Sequence, residues 1–253
     1  LSSEIFRRHG EDGLPENTVT LHCRGSAGQS FFAFGAPGIT VIIRGDANDY
    51  FGKGLSGAIL VLRPPEESSF AAEENVIVGN TAFYGATAGQ AYIRGIAGER
   101  FCVRNSGVWA VVEGTGDHAC EYMTGGRVVI LGPTGYNTAA GMSGGEAYIY
   151  DESGDFGRHR CNRDMVDLEP LEAAGDISAL RDLVERHHRF TDSPVAARIL
   201  EDWDRALQRF VKIMPRDYKR ALARIAREQQ SQASRHETSN DRKRSPQRSG
   251  EIV

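Results

Sequence analysis

The glycines of this chain recur at a nearly fixed step, and that step constrains the fold more than any other feature. Gly107, Gly125 and Gly144 each follow a hydroxyl residue (Ser106, Thr124, Ser143), and each precedes a short apolar run. The steps between them are 18 and 19 residues. The same register extends upstream through Gly38, Gly57 and Gly89, with 19 residues from Gly38 to Gly57 and 18 from Gly89 to Gly107. Gly57 to Gly89 is 32 residues, and this longer step contains Pro64, Pro65, Glu66, Glu67, Ser68 and Ser69, which read as a loop inserted into one coil. Many strands also close on a second glycine, at Gly25, Gly45, Gly95, Gly114 and Gly132. Such a repeat defines architecture before any single residue does.

Each apolar run is four to six residues of Val, Ile, Leu, Tyr and Trp, too short for a helix. The flanking glycines let the chain turn where other residues are strained. A coil of this length holds two or three short strands with their corners, and stacked coils pair in parallel, each burying its apolar face against its neighbours. The fold expected is therefore mainly β, a parallel β-helix (β-solenoid) followed by carboxy-terminal α-helices. An antiparallel sandwich also has short, regularly spaced strands. Hairpin signals are scarce and the period is strict, which favours the solenoid.

In chain order, residues 1–18 read as a polar lead-in with one helical turn. The β-helix domain spans 19–170, opening with the strand Val19–Cys23 and ending its coils at the turn Asp151–Asp155. A helical extension spans 171–230. Ile177, Leu180 and Val184 stand at helical spacing, and Ser193 with Pro194 makes an N-cap with proline in the first helical position. Val195, Ile199, Trp203, Leu207 and Phe210 form one apolar stripe, and a third helix opens at Pro215 and runs to about Gln229. A solenoid end exposes strand edges and core, so these helices are expected to fold back over the solenoid or pack on a neighbour. Residues 231–253 are polar and nearly free of apolar side chains, the composition of a disordered tail.

The 253 residues carry a net charge of −4, which gives no argument for nucleic acid or a membrane surface, and no run approaches a bilayer span. Four scattered cysteines, Cys23, Cys102, Cys120 and Cys161, contain no Cys-x-x-Cys and imply no zinc site, iron–sulfur cluster or disulfide framework. A reducing, cytoplasmic compartment fits. The chain opens on Leu1 rather than Met, which suggests a fragment of a longer protein.

The densest polar cluster runs from Gly114 to Tyr122. In an extended segment His118 and Cys120 would face the same way, but two ligands do not make a metal site. The cluster reads instead as a polar corner of the solenoid, with Asp117, His118, Glu121 and Tyr122 as candidate interface residues. Gly45–Gly54 lacks the full phosphate-loop pattern, and no helix signal follows Lys53. It reads as a coil corner. Gly28, Gly35 and Gly38 make no dinucleotide fingerprint. His187 and His188 read as a solvated helix face, and Arg242–Arg244 as part of a solvated tail. No nucleophile, base and oxyanion donor assemble, so no catalytic, cofactor-binding or metal residue is assigned.

Longer strings carry a specific resemblance. GTGDHACEYMTGG at Gly114–Gly126, LGPTGYNTAAGMSGG at Leu131–Gly145, GDANDYFGKGLSG at Gly45–Gly57 and VGNTAFYGAT at Val78–Thr87 closely resemble the carboxy-terminal domain of the glutamate synthase large subunit. ILEDW at Ile199–Trp203 and VKIMPRDYKR at Val211–Arg220 look like the last helices of that subunit. The match covers roughly residues 1–225. A bare Gly-x-Gly repeat is shared with a subunit of formylmethanofuran dehydrogenase, but these strings are more specific. The resemblance implies that the β-helix is right-handed and comes last in an oxidoreductase whose glutaminase domain, FMN site and iron–sulfur cluster lie outside this chain. Ammonia released from glutamine would pass through a tunnel to aminate 2-oxoglutarate, giving glutamate. This chain would be the inactive spacer holding the two sites in register, partnered by the glutaminase and FMN domains, with electrons from an NADPH-dependent small subunit or from ferredoxin. A plant-type enzyme would place it in a plastid. The alternative is a separate non-catalytic subunit of a split enzyme such as an N-methylglutamate synthase.

Overall fold

The computed structural model describes residues 1–229. Helix α1 (Ser2–His9) precedes the coils and is longer than the single turn read from the sequence. Seven strands then stack in parallel: β1 (Val19–Ala27), β2 (Ile39–Ala47) and β3 (Ser56–Arg63), followed after the short β4 (Val76–Val78) by β5 (Ala88–Ala97), β6 (Ser106–Thr115), β7 (Thr124–Ile130) and β8 (Gly144–Tyr150). The fold is a β-solenoid of about seven turns, as the repeat predicts. The count exceeds the six marker glycines because the first coil enters its strand from Thr18 with no glycine before Val19.

The insertion is also where it was expected. The chain leaves the stack after Arg63 and rejoins it at β4, which pairs with β2 at Ala47 and with β5 at Ile96 and Ala97. β3 and β4 together thus do the work of one uninterrupted strand in the other coils.

Registers explain why the strands read as continuous apolar runs rather than alternating ones. Val41, Leu60, Ala91, Ala110, Val128 and Ala147 are successive register partners and point into the coil. Their neighbours Val61, Tyr92, Val111, Val129 and Tyr148 form the opposite column and are buried under the carboxy-terminal helices. A parallel sheet covered on both faces has no reason to alternate. Inside the coils, Phe51, Phe83 and Phe101 pack edge to face with centroids 5.6 and 5.7 Å apart.

After β8 the chain forms β9 (Val166–Pro170), α2 (Ala174–Thr191), α3 (Pro194–Glu201), α4 (Trp203–Leu207), β10 (Phe210–Pro215) and α5 (216–229). The helices fold back over the solenoid's outer face. Leu180, Leu183, Val184, Val195, Ile199 and Trp203 share one buried cluster with the Tyr92 and Tyr148 column. Ser193 caps α3 as expected, accepting from the Ala196 N–H at 3.0 Å.

Two readings need correction. The stripe from Val195 does not continue as helix to Phe210. It breaks at Asp202, and Phe210 begins β10, which pairs antiparallel with β8 on one side and β9 on the other. Helical spacing gave way to the unpaired edge of β8, which needed a ladder of backbone partners. His187 is not on a solvated face. It is fully buried, while His188 beside it is exposed. The signal was present, since Leu180, Val184, His187 and Thr191 fall on one helical stripe. The tail from residue 231 onward, with Arg242–Arg244, lies outside the described residues.

Candidate domain interface

Between successive strands the chain makes a compact corner in which every second residue is left-handed. In the corner after β6 these are His118, Cys120 and Tyr122, with φ of 63, 59 and 54°. The same positions in the preceding corner are Arg100, Cys102 and Arg104. Most are not glycine, so sequence gave no warning of them. Such a conformation costs an L-residue about 1–2 kcal/mol. Inter-coil hydrogen bonds offset it: the His118 N–H donates to Tyr136 O at 2.9 Å, Cys120 to Phe101 O at 2.8 Å, and Tyr122 to Ala140 O at 2.8 Å. The repeat glycines have a different task. A Cβ on Gly107, Gly125 or Gly144 would lie 1.9, 2.3 or 2.2 Å from a carbonyl oxygen of the preceding coil. They are glycine because the coils approach too closely for any side chain.

The four predicted interface residues share this corner and divide into two kinds. Asp117 serves the stack: its Oδ1 accepts the Tyr136 N–H of the next coil at 2.6 Å. Asn80 and Asp49 do the same two and three corners earlier, at 2.8 and 2.7 Å. His118 joins a polar chain along the surface. Asn162 donates to Asn137 Oδ1 at 2.8 Å, which turns the Asn137 amide nitrogen toward His118 Nδ1 at 3.2 Å. With Nδ1 accepting, the neutral ring carries its proton on Nε2. Glu121 lies 3.5 Å from the same Nδ1. Tyr122 is 53% exposed, its ring lying over Gly141 of the next coil where a Cβ would be 2.5 Å away.

His118 and Cys120 do not face the same way. The segment turns rather than extends, and Cys120 is buried in the core above Phe101 while His118 reaches the surface. Burial pushes the Cys120 thiol up to about 12, with Cys161 nearby adding to it. Among the described residues no group of three or more His, Cys, Asp and Glu side chains could hold a metal ion.

The corner face is rich in aromatic and basic side chains. Upstream, Tyr50 and Tyr84 flank a cavity of about 580 Å³ that Lys53, Arg100, Asp49 and Glu99 also line. Lys53 sits over the Tyr50 ring at 5.5 Å, and Arg160 over Tyr136 at 5.0 Å. Phe34 and Tyr136 are 58% and 59% exposed, and Arg104 is exposed beside Tyr122. Exposed aromatics interleaved with arginine are the composition of protein–protein contact surfaces.

Sequence reasoning missed two buried polar clusters that fasten the helical layer. Glu113 on β6 accepts from the Ser193 hydroxyl and lies 3.5 Å from His187 Nε2, all three fully buried. Lys212 on β10 reaches Glu146 and Asp176, each at 2.7 Å, while Arg127 and Tyr148 donate to the other Glu146 oxygen at 3.0 and 3.1 Å. No local pattern links residues so far apart in the chain.

A parallel stack of glycine-punctuated coils with this corner defines a class. Residues 1–216 match the family described as "GXGXG motif", and the chain belongs to that family. Its curated relatives are glutamate synthases. It is 57% identical over 226 residues to glutamate synthase [NADH] of Schizosaccharomyces pombe, 89% of this chain and 11% of that protein. It is 53% identical over 223 residues to the glutamate synthase [NADPH] large chain of Bacillus subtilis, 88% of this chain and 15% of that one. It is 47% identical over 215 residues to ferredoxin-dependent glutamate synthase 2 of Synechocystis, 85% and 14% respectively. The chain thus spans about an eighth of the length of the relatives it matches.

Proposed function

We propose that this chain is the structural spacer domain of a glutamate synthase, holding a glutaminase site and an FMN site in register while ammonia passes between them. One observation carries the reading. The same domain occurs in relatives named for NADH, for NADPH and for ferredoxin. Its task therefore belongs to what these enzymes share, the making of glutamate, and not to the choice of electron donor.

The geometry suits a spacer. Columns of inter-coil hydrogen bonds run along the corners, and strand ladders run along the flats, so the stack resists bending along its axis. The aromatic and basic corner face offers a surface for the catalytic domains. Ammonia that escaped to water would be protonated and lose its nucleophilic lone pair, which a closed path prevents. FMN and the iron–sulfur cluster sit in the other domains in this reading. Among the described residues no helix is long and apolar enough to cross a membrane, and a cytoplasmic or plastid enzyme is consistent with that.

The test is the native protein itself. Its mass should be that of a polypeptide several times longer than this chain. The isolated chain should fold, be colourless, and neither hydrolyse glutamine nor oxidise a nicotinamide cofactor. A native polypeptide no longer than this one would favour a separate subunit of a split enzyme. A yellow isolated chain, or one with glutaminase turnover, would overturn the spacer reading.

A further inference from the structure

The sheet has two ends, and they are finished differently. At one end β10 and β9 add antiparallel to β8, and the last strand is five residues long and closes on Pro170. Short strands and proline are common ways to blunt an edge. At the other end β1 is nine residues long, has no proline and pairs only with β2 among the described residues. Its core side is open too. Val19, Leu21 and Cys23 are half-buried, whereas Ile39, Val41 and Ile43 beside them are at most 1% exposed. Helix α1 brings Ile5 and Phe6 to this end of the core but adds no strand to β1.

Two inter-coil hydrogen-bond ladders and one column of close backbone approach stop at the same place. The Gly116 N–H donates to Ala97 O at 3.0 Å and the Asn48 N–H to Ala27 O at 2.9 Å, but their counterpart Gly28 meets no backbone acceptor among the described residues. The Cys120 and Gly52 N–H groups donate to Phe101 O and Phe31 O at 2.8 and 3.0 Å, but their counterpart Phe32 meets none. A Cβ on Gly45 would lie 2.1 Å from Gly25 O, yet Gly25 itself, with φ 101°, faces nothing within 4 Å. Gly25 keeps the glycine of a coil junction with no coil against it.

We propose that β1 receives one more parallel strand and its corner, continuing the solenoid. The occupant is an extended segment with apolar side chains opposite Val19, Leu21 and Cys23. One carbonyl lies against Gly25, and further carbonyls accept from Gly28 and Phe32. A second copy of this chain does not fit, because a two-fold axis would set β1 against β1 antiparallel and leave both corner donors unmet. Only the source of the strand, another part of a glutamate synthase, rests on the functional reading above.

The test is residue-resolved hydrogen exchange on the native protein. Val19 donates to Gly38 O at 3.0 Å, so by alternation the Leu21 and Cys23 N–H groups face β2, while those of Thr20, His22 and Arg24 face the open edge. The expected result is that the outward amides exchange within about tenfold of Leu21 and Cys23, as in a paired interior strand. Faster exchange than that at all three overturns the proposal. His22→Pro removes an outward donor and leaves the β1–β2 ladder intact. It should accelerate exchange at Thr20 and Arg24 while Leu21 and Cys23 stay protected, and an unchanged pattern counts against an added strand. The native mass, read from the same sample, judges the functional reading separately. Protected outward amides in a short native chain would still support the strand, supplied by another polypeptide.

Discussion

The Ser193 hydroxyl joins two structures at once: it accepts the Ala196 N–H at the start of α3 and donates to the carboxylate of Glu113, buried on β6. One side chain thereby caps a helix and donates to one oxygen of a buried acid 80 positions away. Losing a cap costs about 0.5–2 kcal/mol. Leaving a buried acceptor short of a donor costs about 1–3 kcal/mol more. Ser193→Ala should therefore destabilise by about 2–4 kcal/mol in denaturant unfolding, and Ser193→Thr by much less. Equal losses for the two would show that the hydroxyl is not what matters.

Lys212 is the second fastening. Burial opposes the Glu146 charge, but the hydrogen bond and charge of Lys212, with Arg127, outweigh it and hold the carboxyl below its ordinary value. A carboxylate with a depressed folded-state pKa stabilises fully above the ordinary carboxylate range, and that contribution fades as pH falls through the depressed value. Lys212→Met leaves Glu146 and Asp176 without their shared cation and should cost about 3–5 kcal/mol near neutral pH. The gap between variant and wild type should narrow in acid, where Glu146 is protonated in both. A gap that is constant from neutral to acid pH would mean that packing, not charge, is lost.

Trp203 is 8% exposed and its ring lies 6.2 Å from that of Phe210, under the helical layer. Trp203→Ala should cost about 3–5 kcal/mol. In a Trp109→Phe background the remaining emission should be blue-shifted and poorly quenched by iodide. Fully water-like emission would place the helices off the solenoid.

Gly125 has no room for a side chain, with Ser106 O 2.3 Å from its Cβ position. Gly125→Val should lower stability by at least about 1 kcal/mol. Gly175, at the start of α2 with nothing within 4 Å, is the control, and Gly175→Ala should be neutral or stabilising. Equal melting temperatures for wild type and Gly125→Val would remove the close-approach argument.

What the sequence disclosed follows from which forces are local. The glycine period was legible because every coil meets its neighbour in the same way, so the same atom is forbidden at Gly107, Gly125 and Gly144. Ser193 with Pro194 was legible because a cap is a contact within three residues. The left-handed Phe83, Cys102 and Cys120 were not, because their ladder partners belong to other coils and no side-chain type marks them. β10 was not, because its strand state is imposed by the edge of β8. Of the candidate interface, the corner was found, but Asp117 proved to be bound into the stack, leaving Tyr122 and Arg104 as its freest neighbours.

Coupling is the central claim, and the assay that compares glutamine consumed with 2-oxoglutarate converted tests it most directly. Arg104→Glu and Tyr122→Ala alter the exposed corner without touching the ladder bonds, so they are the variants to place in the intact enzyme. The account predicts that wild type consumes the two substrates in equal amounts, and that the variants consume glutamine in excess while flavin binding is unchanged. Equal consumption in both variants, with the corner face altered and the fold intact, would contradict it.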